Sequence, residues 1–423
     1  MLQIQVLRDN PEFIVERLKA RNFDAAETVT EILELDKAIK GCKNDFETHK
    51  AESNQLAKQI GMLFKNGEAA KANGLKARTA ELKELNKSTT DKQAELEGKI
   101  QELLYSLPNT PHSSVPIGLA ADDNQTIYEE GEINNAQEAN VPHWDLAKQY
   151  DIIDFELGNK VAGAGFPFYK GKGAIFQRAL INFFLTEAGK AGYTEFQTPL
   201  MVNEASGYGT GQLPDKEGQM YHMKVDNLYM IPTAEVPLTN MFRDTIVQES
   251  ELPIKVTAYT PCFRREAGSY GKDVRGLNRL HQFDKVEIVQ VANPDQSYQV
   301  LEEMLEHAKS LLTKLGLKYR VLRLCSGDMG FTSALTYDLE VYASGQDKWL
   351  EVSSVSNFET FQANRLKLRF KNAEGKSQLV HTLNGSALAL PRIVAALLEN
   401  NRTEKGIKIP KVLQPFTGFS MID

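Results

Sequence analysis

The sequence predicts an α+β protein in two parts: a long helical hairpin, followed by an antiparallel sheet with helices to one side. From residue 32 to residue 103, apolar positions recur at alternating steps of three and four, which is the spacing of a coiled-coil seam. After residue 141, successive strands with few intervening helices favour an antiparallel sheet. At 423 residues the chain exceeds one typical core, so we expect a helical domain at 1–106, a linker at 107–140 and a second domain at 141–423.

The composition excludes several classes of protein. The formal net charge is −7, so any contact with RNA must come from a local basic patch. Three widely spaced cysteines and seven histidines without metal-ligand spacing argue against a zinc site or a disulfide framework. The N-terminus lacks a signal-peptide pattern, and no apolar run approaches the roughly 18 residues of a membrane span. A cytoplasmic protein without membrane contact is expected.

The hairpin is predicted from residue 30 to residue 105, with its turn at Lys65-Asn66-Gly67. About 35 residues per helix would make an arm roughly 50 Å long. The seam positions, several of them polar, are Ile32, Leu35, Ile39, Cys42, Phe46, His49, Ser53, Leu56, Ile60 and Leu63, then Leu75, Thr79, Leu82, Asn86, Thr89, Gln93, Leu96, Ile100 and Leu103.

Charge is unevenly distributed along this arm. Residues 50–78 carry six positive and two negative side chains, whereas residues 31–49 and 79–105 each have a net charge of −2. A basic tip on an acidic stem suits a phosphate backbone, which makes Lys58, Lys65, Lys71 and Arg78 candidate RNA-binding residues. A solvated coiled coil with no such partner fits the charge pattern equally well.

A predicted β-hairpin lies in the second domain. Residues 256–265 and 280–291 have the composition and alternation of strands. The turn between them holds three glycines and three basic residues: Gly268, Gly271, Gly276, Lys272, Arg275 and Arg279. An exposed basic loop suits a polyanion such as ATP or an RNA end, although a solvated turn on an ordinary sheet would look similar.

The sequence Phe263-Arg264-Arg265-Glu266 resembles motif 2 of the class II aminoacyl-tRNA synthetases. The flanking TPCFRREAG and HQFDKVEIV resemble the seryl-tRNA synthetases, and the likeness covers essentially the whole chain. It implies that the arm grips the long variable arm of tRNA(Ser). It also implies a homodimer built by motif 1, namely a helix at 173–191 and a strand at 193–202 interrupted by Pro199, a residue typical of an edge or an interface.

The resemblance implies roles for the motif residues at an ATP site. Arg264 would bridge the serine carboxylate and the α-phosphate, with Arg265 beside it. Glu266 would accept a hydrogen bond from the adenine amino group, and Phe283 would stack on the adenine ring. Arg264 and Arg392 would be the catalytic arginines.

Residues 384–392 run from a strand into a helix and resemble motif 3. Small residues let the backbone approach a nucleotide, and Arg392 at the helix start would clamp a terminal phosphate. The sequence departs from the family pattern by carrying Ala387 and Ala389 where glycine is frequent, and Pro391 directly before the arginine.

The sequence Glu351-Val352-Ser353-Ser354 ends a predicted strand at 349–355. A carboxylate with nearby hydroxyls is a weak signal for a magnesium site. In the family all four positions match ATP-binding residues, and Glu351 and Ser354 match the ligands of the Mg²⁺ that accompanies ATP.

Thr233-Ala234-Glu235 stands before a predicted helix and by itself indicates a helix cap. In the family this T-x-E segment binds serine, with Thr233 and Glu235 recognising the ammonium group. A carboxylate and a hydroxyl are suitable partners for an ammonium ion.

Selectivity for serine is expected to depend on Glu287, which strand alternation places on the same face as Phe283. A carboxylate there would accept the serine hydroxyl, and Asn384 and Ser386 of motif 3 would complete the pocket. Pairing of Glu287 with Lys285 is the alternative, but Lys285 is expected on the opposite face.

The predicted function is ligation of L-serine to tRNA(Ser) with ATP, and tRNA(Sec) is a second candidate substrate. No P-loop and no dinucleotide-binding G-x-G-x-x-G is present,. Two alternatives remain: an adenylating relative that charges a carrier protein, which would not need the basic arm, and a non-catalytic RNA-binding or scaffolding paralogue, which would not need intact motifs.

Overall fold

The computed structural model describes residues 1–133, 141–267 and 275–423. The predicted turn residues Gly268, Gly271 and Lys272 lie outside this described part. The chain forms two compact units. One comprises Leu2–Lys19 and Phe23–Pro108, and the other comprises Met1, Ala20–Asn22 and Asn109–Asp423.

The first unit is entirely helical. Its helices are α1 Ile4–Asp9, α2 Pro11–Lys19, α3 Ala26–Lys65 and α4 Ala69–Ser106. Pro11 begins α2, where its fixed φ fits the helix and its missing N–H is not needed. The long helices join at the predicted turn, but α3 starts four residues earlier than expected. Its 40 residues make the arm about 60 Å long rather than 50 Å.

The seam of α3 and α4 follows the predicted spacing. Every predicted seam position is buried or half-buried. The buried ones, Ile32, Ile39, Cys42, Leu82 and Ile100, lie mainly at the base, where α3 begins and α4 ends. Around the turn the seam residues are only half-buried, so the apolar stabilisation of the pair is concentrated at its base.

The second unit contains the remaining elements in the described residues. Its helices are α5 His143–Gln149, α6 Phe155–Val161, α7 Lys172–Lys190, α8 Glu204–Thr210, α9 Glu235–Asn240, α10 Ser297–Leu315, α11 Thr360–Leu366, α12 Leu390–Asn400 and α13 Gln414–Thr417. Its strands are β1 Gln125–Glu130, β2 Ile153–Asp154, β3 Phe168–Tyr169, β4 Thr194–Glu195, β5 Met201–Asn203, β6 His222–Met223, β7 Leu228–Met230, β8 Ile246–Gln248, β9 Ile254–Phe263, β10 Gln282–Ala292, β11 Tyr319–Arg323, β12 Leu335–Ala343, β13 Lys348–Asn357, β14 Arg369–Lys371, β15 Ser377–Leu379, β16 His381–Ala389, β17 Arg402–Thr403, β18 Gly406–Lys408 and β19 Met421–Ile422.

Eight strands form the central sheet in the order β1-β11-β12-β13-β16-β10-β9-β4. All neighbours are antiparallel except β4 and β9, which confirms the predicted α+β class. The predicted strand at 193–202 is wrong in extent. Only Thr194–Glu195 pairs at the sheet edge, while Met201–Asn203 joins β7 in a separate small sheet. Pro199 lies between them and has no N–H to continue a ladder.

One face of the sheet is covered by α7, α10 and α12, which share the main apolar core with it. Phe176, Phe183 and Phe184 of α7 contribute its large rings. On β10, Val286 and Ile288 enter this core. Because side chains alternate along a strand, Lys285 and Glu287 point to the other face, where α9 packs on β10.

The segment expected to be a linker contributes to the sheet. Residues 125–130 form β1 at one edge and pair with β11. The Tyr128 ring lies 6.0 Å from that of Tyr319, and Lys309 Nζ lies 3.8 Å from the Tyr128 ring centroid. An edge strand packs with few apolar residues of its own, which explains why the acidic composition of 121–140 did not reveal it.

Candidate active site

The hairpin of β9 and β10 brings the motif 2 residues beside a buried polar pocket. Phe283 lies opposite Cys262, and Glu287 lies opposite Ala258. Glu287 is fully buried and Lys285 is 6% exposed. Two buried charges on one strand face require specific partners, because an unpaired buried charge is very costly.

Glu287 accepts hydrogen bonds from three residues. Lys285 Nζ lies 2.6 Å from its Oε2, Thr233 Oγ1 donates to the same oxygen at 3.1 Å, and Asn384 Nδ2 donates to Oε1 at 2.9 Å. The prediction that Lys285 faces away was wrong, since residues two apart on a strand share a face. A carboxylate has about four acceptor positions, so one remains for a ligand.

Glu235 is the second buried carboxylate of the pocket. Gln362 Nε2 donates to it at 2.7 Å and Asn384 Nδ2 at 3.0 Å. Burial, reinforced by the charge of Glu287, raises the pKa of Glu235 to about 7,. Its backbone N–H donates to Thr233 Oγ1 at 3.2 Å. The predicted side-chain cap was wrong, because the N-cap residue of α9 is Ala234, which has no side-chain cap hydrogen bond. Lys285 and Arg264 are the positive groups that act on this carboxyl, and a further cation beside it would favour its ionised form.

Two further predicted residues border this pocket. Ala234, directly before α9, is fully buried. Ser386 is buried and lies opposite Glu287 in the pairing of β10 with β16, and opposite residues in antiparallel strands have neighbouring side chains. The structure therefore brings all the predicted serine-binding residues together with Arg264.

The motif 2 side chains lie where β9 ends. The Arg264 guanidinium lies 5.2 Å from the Phe283 ring centroid, and its Nε donates to Pro232 O at 3.4 Å. Arg265 is exposed. Glu266 is half-buried, pairs with Arg279 at 3.4 Å and has a φ of +48°. Such a backbone is unusual for a non-glycine residue and is often found at functional sites.

Arg392 lies in the first turn of α12. Its Nη1 donates to Glu351 O at 2.7 Å, and its Nε donates to Asn278 O at 3.0 Å. Pro391 is the second residue of the helix, where its missing N–H has no consequence. Ala387 is fully buried and Ala389 is half-buried, so the core accommodates a methyl group at 387.

The predicted magnesium ligands lie close together. Ser354 Oγ donates to Asp338 Oδ1 at 2.6 Å and lies 3.3 Å from Glu351 Oε1. Burial and the charge of Glu351 raise the pKa of Asp338. Among the described residues no group of three His, Cys, Asp or Glu is placed to hold a metal ion. Two carboxylates and a hydroxyl nevertheless suit Mg²⁺, which prefers oxygen ligands and keeps several waters.

Two predicted ATP-binding residues have buried side chains. Val352 packs in the main core, and Ser353 Oγ donates to Ser386 O at 2.6 Å. Contact of either residue with a nucleotide would have to involve the backbone.

Asp338 and Gln362 are site residues that the sequence reasoning missed. Asp338 lies opposite Ser354 in the pairing of β12 with β13. The sequence could have indicated Asp338 only if that strand register had been known. Gln362 reaches Glu235 from α11, and no local pattern indicated it.

The candidate RNA-binding residues differ from one another. Lys58 and Lys65 are exposed, and Lys71 is exposed and pairs with Glu68 at 2.5 Å. Arg78 pairs with Glu52 of the opposite helix and with Glu81, each at 2.8 Å. Arg78 therefore links the two helices of the arm.

Across the described ranges, none of the helices has the length and apolar character needed to cross a membrane.

Two family models match the chain. Residues 1–111 match a model described as the seryl-tRNA synthetase N-terminal domain. Residues 221–401 match the tRNA synthetase class II core domain of the G, H, P, S and T enzymes. The serine–tRNA ligase of Salinibacter ruber is 49% identical over 424 residues, covering 100% of this chain and 99% of that protein. The chain belongs to the seryl-tRNA synthetase family.

Further relatives of this chain also belong to the seryl-tRNA synthetase family. The serine–tRNA ligase of Akkermansia muciniphila is 47% identical over 428 residues, which cover 100% of this chain and 99% of that protein. The crystal structure of the Pyrococcus horikoshii seryl-tRNA synthetase complexed with ATP matches with a TM-score of 0.93 at 34% identity, covering 100% of this chain and 99% of that chain. The family resemblance and the predicted ligase activity are confirmed, and the chemistry is ATP-dependent.

Proposed function

We propose that this synthetase activates L-serine with ATP to seryl-adenylate and then transfers the seryl group to the 3′ end of tRNA(Ser). The observation that carries the proposal is the buried pocket of Glu235, Glu287, Thr233 and Asn384 beside Arg264 of motif 2. A cytoplasmic location follows from the proposed substrates, because free tRNA and ATP occur together there.

The serine ammonium is proposed to bind Glu235 and Thr233. Lys285 and Arg264 are the positive groups that act on Glu235, yet burial and the charge of Glu287 still raise its pKa, so a further positive charge beside it is favourable. Its arrival stabilises the ionised form of Glu235 and lowers its pKa. Gln362 and Asn384 hold the two oxygens of this carboxylate and so fix its orientation.

The serine hydroxyl is proposed to donate to Glu287. Three donors already hold this carboxylate, one of them on Oε1 and two on Oε2, which leaves room for one more. Ser386 and Asn384 border the same space. A hydroxyl completes the hydrogen bonding, whereas a methyl group in its place would leave a buried acceptor position unpaired.

The first step requires orientation and charge neutralisation rather than a base. The serine carboxylate is ionised at neutral pH, so its oxygen can attack the α-phosphorus in line while pyrophosphate leaves. The planar fork of Arg264 is suited to bridge the carboxylate and the α-phosphate. Glu266 would accept from the adenine amino group, and Phe283 would contact the ring.

The β- and γ-phosphates are proposed to lie against Arg392. Glu351 and Ser354, with Asp338 behind them, would hold a Mg²⁺ ion at the same place. Such an ion would neutralise phosphate charge and help to align the pyrophosphate leaving group. Arg392 Nη1 already lies 3.6 Å from Glu351 Oε2, so these residues are held close together.

The helical arm is proposed to bind tRNA(Ser) through Lys58, Lys65 and Lys71. Reversing these charges singly should weaken tRNA binding in a salt-dependent manner. Reversal of Arg78 should also weaken the hairpin itself, because Arg78 pairs with Glu52.

A homodimer is proposed through the motif 1 region. Large apolar side chains are exposed on segments flanking α7, namely Leu157, Val161, Phe168, Phe196 and Met201. Exposed apolar side chains of this size favour a partner surface. Sedimentation at micromolar concentration should give about twice the chain mass of 47.3 kDa, and a fully active monomer would refute this part of the proposal.

Pyrophosphate exchange measured with each of the twenty amino acids tests the activation step. Serine should be the preferred substrate, and exchange that prefers another amino acid would overturn the proposal.

Deleting residues 32–103 with a short bridge tests the transfer step. Activation should persist, while charging of tRNA(Ser) and tRNA(Sec) transcripts should collapse. Normal charging without the arm would show that tRNA is bound elsewhere.

A further inference from the structure

The first residue of α5, His143, has no role in the chemistry described above. It is fully buried, and its atoms take part in four hydrogen-bond contacts, one of which places Gln346 Nε2 3.2 Å from its Nδ1. Its Nδ1 lies 2.8 Å from Glu399 Oε1 of α12, and its backbone N–H donates to the same oxygen at 2.9 Å. Its Nε2 accepts the backbone N–H of Leu277 at 2.8 Å. His143 therefore joins α12 to the segment that precedes β10.

These contacts define one form of the imidazole. Because Nε2 accepts a hydrogen bond from Leu277, it carries no proton. Nδ1 must then carry the proton that is donated to Glu399. This tautomer satisfies Leu277 and Glu399 together, whereas the other tautomer would set two N–H groups against each other at Leu277. Gln346 Nε2 lies 3.2 Å from Nδ1 but donates to Glu399 Oε1 at 2.9 Å, so it shares the same acceptor.

The segment 275–278 lies directly against this ring. A Cβ added to Gly276, whose φ is +67°, would lie 2.2 Å from His143 Nε2 and 2.9 Å from Trp144 Cε3. The Arg275 guanidinium lies 4.7 Å from the Trp144 ring centroid. Only glycine fits at 276, because the backbone there packs directly against the His143 and Trp144 rings.

The segment leads directly to Arg392. The Asn278 carbonyl accepts from Arg392 Nε at 3.0 Å. Asn278 Nδ2 donates to Gln346 Oε1 at 2.8 Å, and Gln346 Nε2 donates to Glu399 Oε1 at 2.9 Å. Glu399 is seven residues, or two helical turns, after Arg392 and therefore lies on the same side of α12.

We propose that His143 is a positioning residue for ATP: by holding the Leu277 N–H, it fixes the Asn278 carbonyl that orients the Arg392 guanidinium. The proposal rests on the role of Arg392 in ATP binding described above. It assigns no contact with substrate to His143. Its effect is to reduce the conformations of Arg392, so that less order has to be gained when ATP binds.

Two substitutions separate the two sides of the imidazole. In His143→Gln, the side-chain oxygen can reach the position of Nε2 and accept from Leu277, while the side-chain contact with Glu399 is lost and the backbone contact remains. In His143→Asn, the shorter amide can donate to Glu399 but cannot reach Leu277. His381→Gln is a matched control, since His381 is a half-buried histidine whose Nδ1 lies 2.7 Å from Ser297 Oγ and has no described contact with this segment.

KM values for ATP and serine are measured by pyrophosphate exchange, and ATP affinity with Mg²⁺ is measured by calorimetry. His143→Asn should raise the KM and Kd for ATP about tenfold, as expected for loss of one orienting contact in a buried site, with the serine KM changed less than about twofold. His143→Gln should stay within about threefold of the parent for ATP. The control should lower the melting temperature without separating the two KM values.

Equal ATP affinities for His143→Asn and the parent would overturn the proposal. It would also be overturned if His143→Asn raised the KM values for ATP and serine together, because that pattern indicates only a loss of folded structure. Arg392→Ala is measured in parallel. If that variant binds ATP normally, the role of Arg392 itself is wrong. If it binds ATP poorly while His143→Asn does not, only the positioning inference fails.

Discussion

The two ends of the proposed active site, where serine and ATP are expected to bind, are built differently. At the amino-acid end, Glu235, Glu287, Lys285 and Thr233 are all buried and bonded to other protein groups. At the ATP end, Arg265 and Glu351 are exposed, and the side chain of Arg392 is 28% exposed. Buried polar groups discriminate strongly because a missing partner is costly. Exposed charged groups instead attract and orient a large hydrated anion, and water replaces a lost contact more easily.

The contrast between the buried end and the exposed end predicts that substitution of Glu287 has the largest effect on amino-acid selectivity. Sites that bond a substrate hydroxyl reject the analogue lacking it by roughly 10⁴-fold. Glu287→Ala should therefore reduce serine activation far more than ATP binding and should narrow the preference for serine over alanine by orders of magnitude. The measurement is kcat/KM for the two amino acids in pyrophosphate exchange.

Two further variants keep this test interpretable. Glu287→Ala leaves Lys285 buried without its 2.6 Å partner, and breaking a buried ion pair costs about 3–5 kcal/mol of stability. Glu287→Gln preserves the shape of the side chain. The double variant Glu287→Gln with Lys285→Met removes both charges. If all three variants retain the parent preference for serine, the hydroxyl is recognised elsewhere, and Ser386 is the next candidate.

Arg264 stands between the two ends and should give the next largest effect. Arg264→Ala should reduce the exchange rate by about 10² or more, as expected when a charge that stabilises the transition state is removed. Arg264→Lys should recover only part of the rate, since an ammonium lacks the planar fork. An unchanged exchange rate in the alanine variant would show that this arginine does not face the α-phosphate.

The third prediction uses pH to separate the two ends. Glu235 has a raised pKa of about 7, and its proposed contact with the serine ammonium requires the ionised form. Below pH 7 the neutral carboxyl predominates, so the serine KM should rise, approaching tenfold per pH unit. Above pH 7 it should level off, and the ATP KM should change little. The measurement is exchange kinetics from pH 6 to pH 8.

The raised pKa of Glu235 should also make the stability of the folded protein depend on pH. A raised carboxyl pKa favours the folded state most at low pH, and this contribution is lost as pH rises through about 7. Serine binding opposes the loss, so the increase in melting temperature caused by serine should grow with pH. The charges of Glu287, Lys285 and Arg264 all affect the pKa of Glu235. Glu235→Gln is therefore the control, because it removes the titrating group and leaves these neighbours in place. Its serine KM should be high at every pH, and a parent KM that is flat from pH 6 to pH 8 would contradict the assignment.

Most residues of the proposed site could be selected from the sequence because they occur in short runs with local spacing. Phe263 to Glu266 and residues 384–392 need only a strand followed by a turn or helix. The seam of the arm was equally predictable, since a repeat of three and four residues specifies which helix face is buried.

Residues brought together by strand pairing or by a distant helix were not predictable in this way. Asp338 meets Ser354 across two strands, and Gln362 reaches Glu235 from 127 positions away. The error at Lys285 was of another kind, because simple alternation places it with Glu287. Strand β1 was missed because an edge strand needs little apolar surface.

The smallest predicted effect lies at the exposed end, at Ser354. Its hydroxyl donates to Asp338 and lies 3.3 Å from Glu351. Ser354→Ala should raise the ATP KM by roughly threefold to tenfold, the range expected from the net value of about one hydrogen bond, because water can occupy the vacated place. The serine KM should not change.

Ser353→Ala is the matched control, since adjacent strand residues face opposite sides and the Ser353 hydroxyl donates to the buried Ser386 carbonyl. That variant should lower the melting temperature while leaving the ATP KM near that of the parent. If Ser354→Ala instead reduced ATP binding a hundredfold, the exposed end would be as intolerant of a lost contact as the buried end, and the contrast between them would not hold.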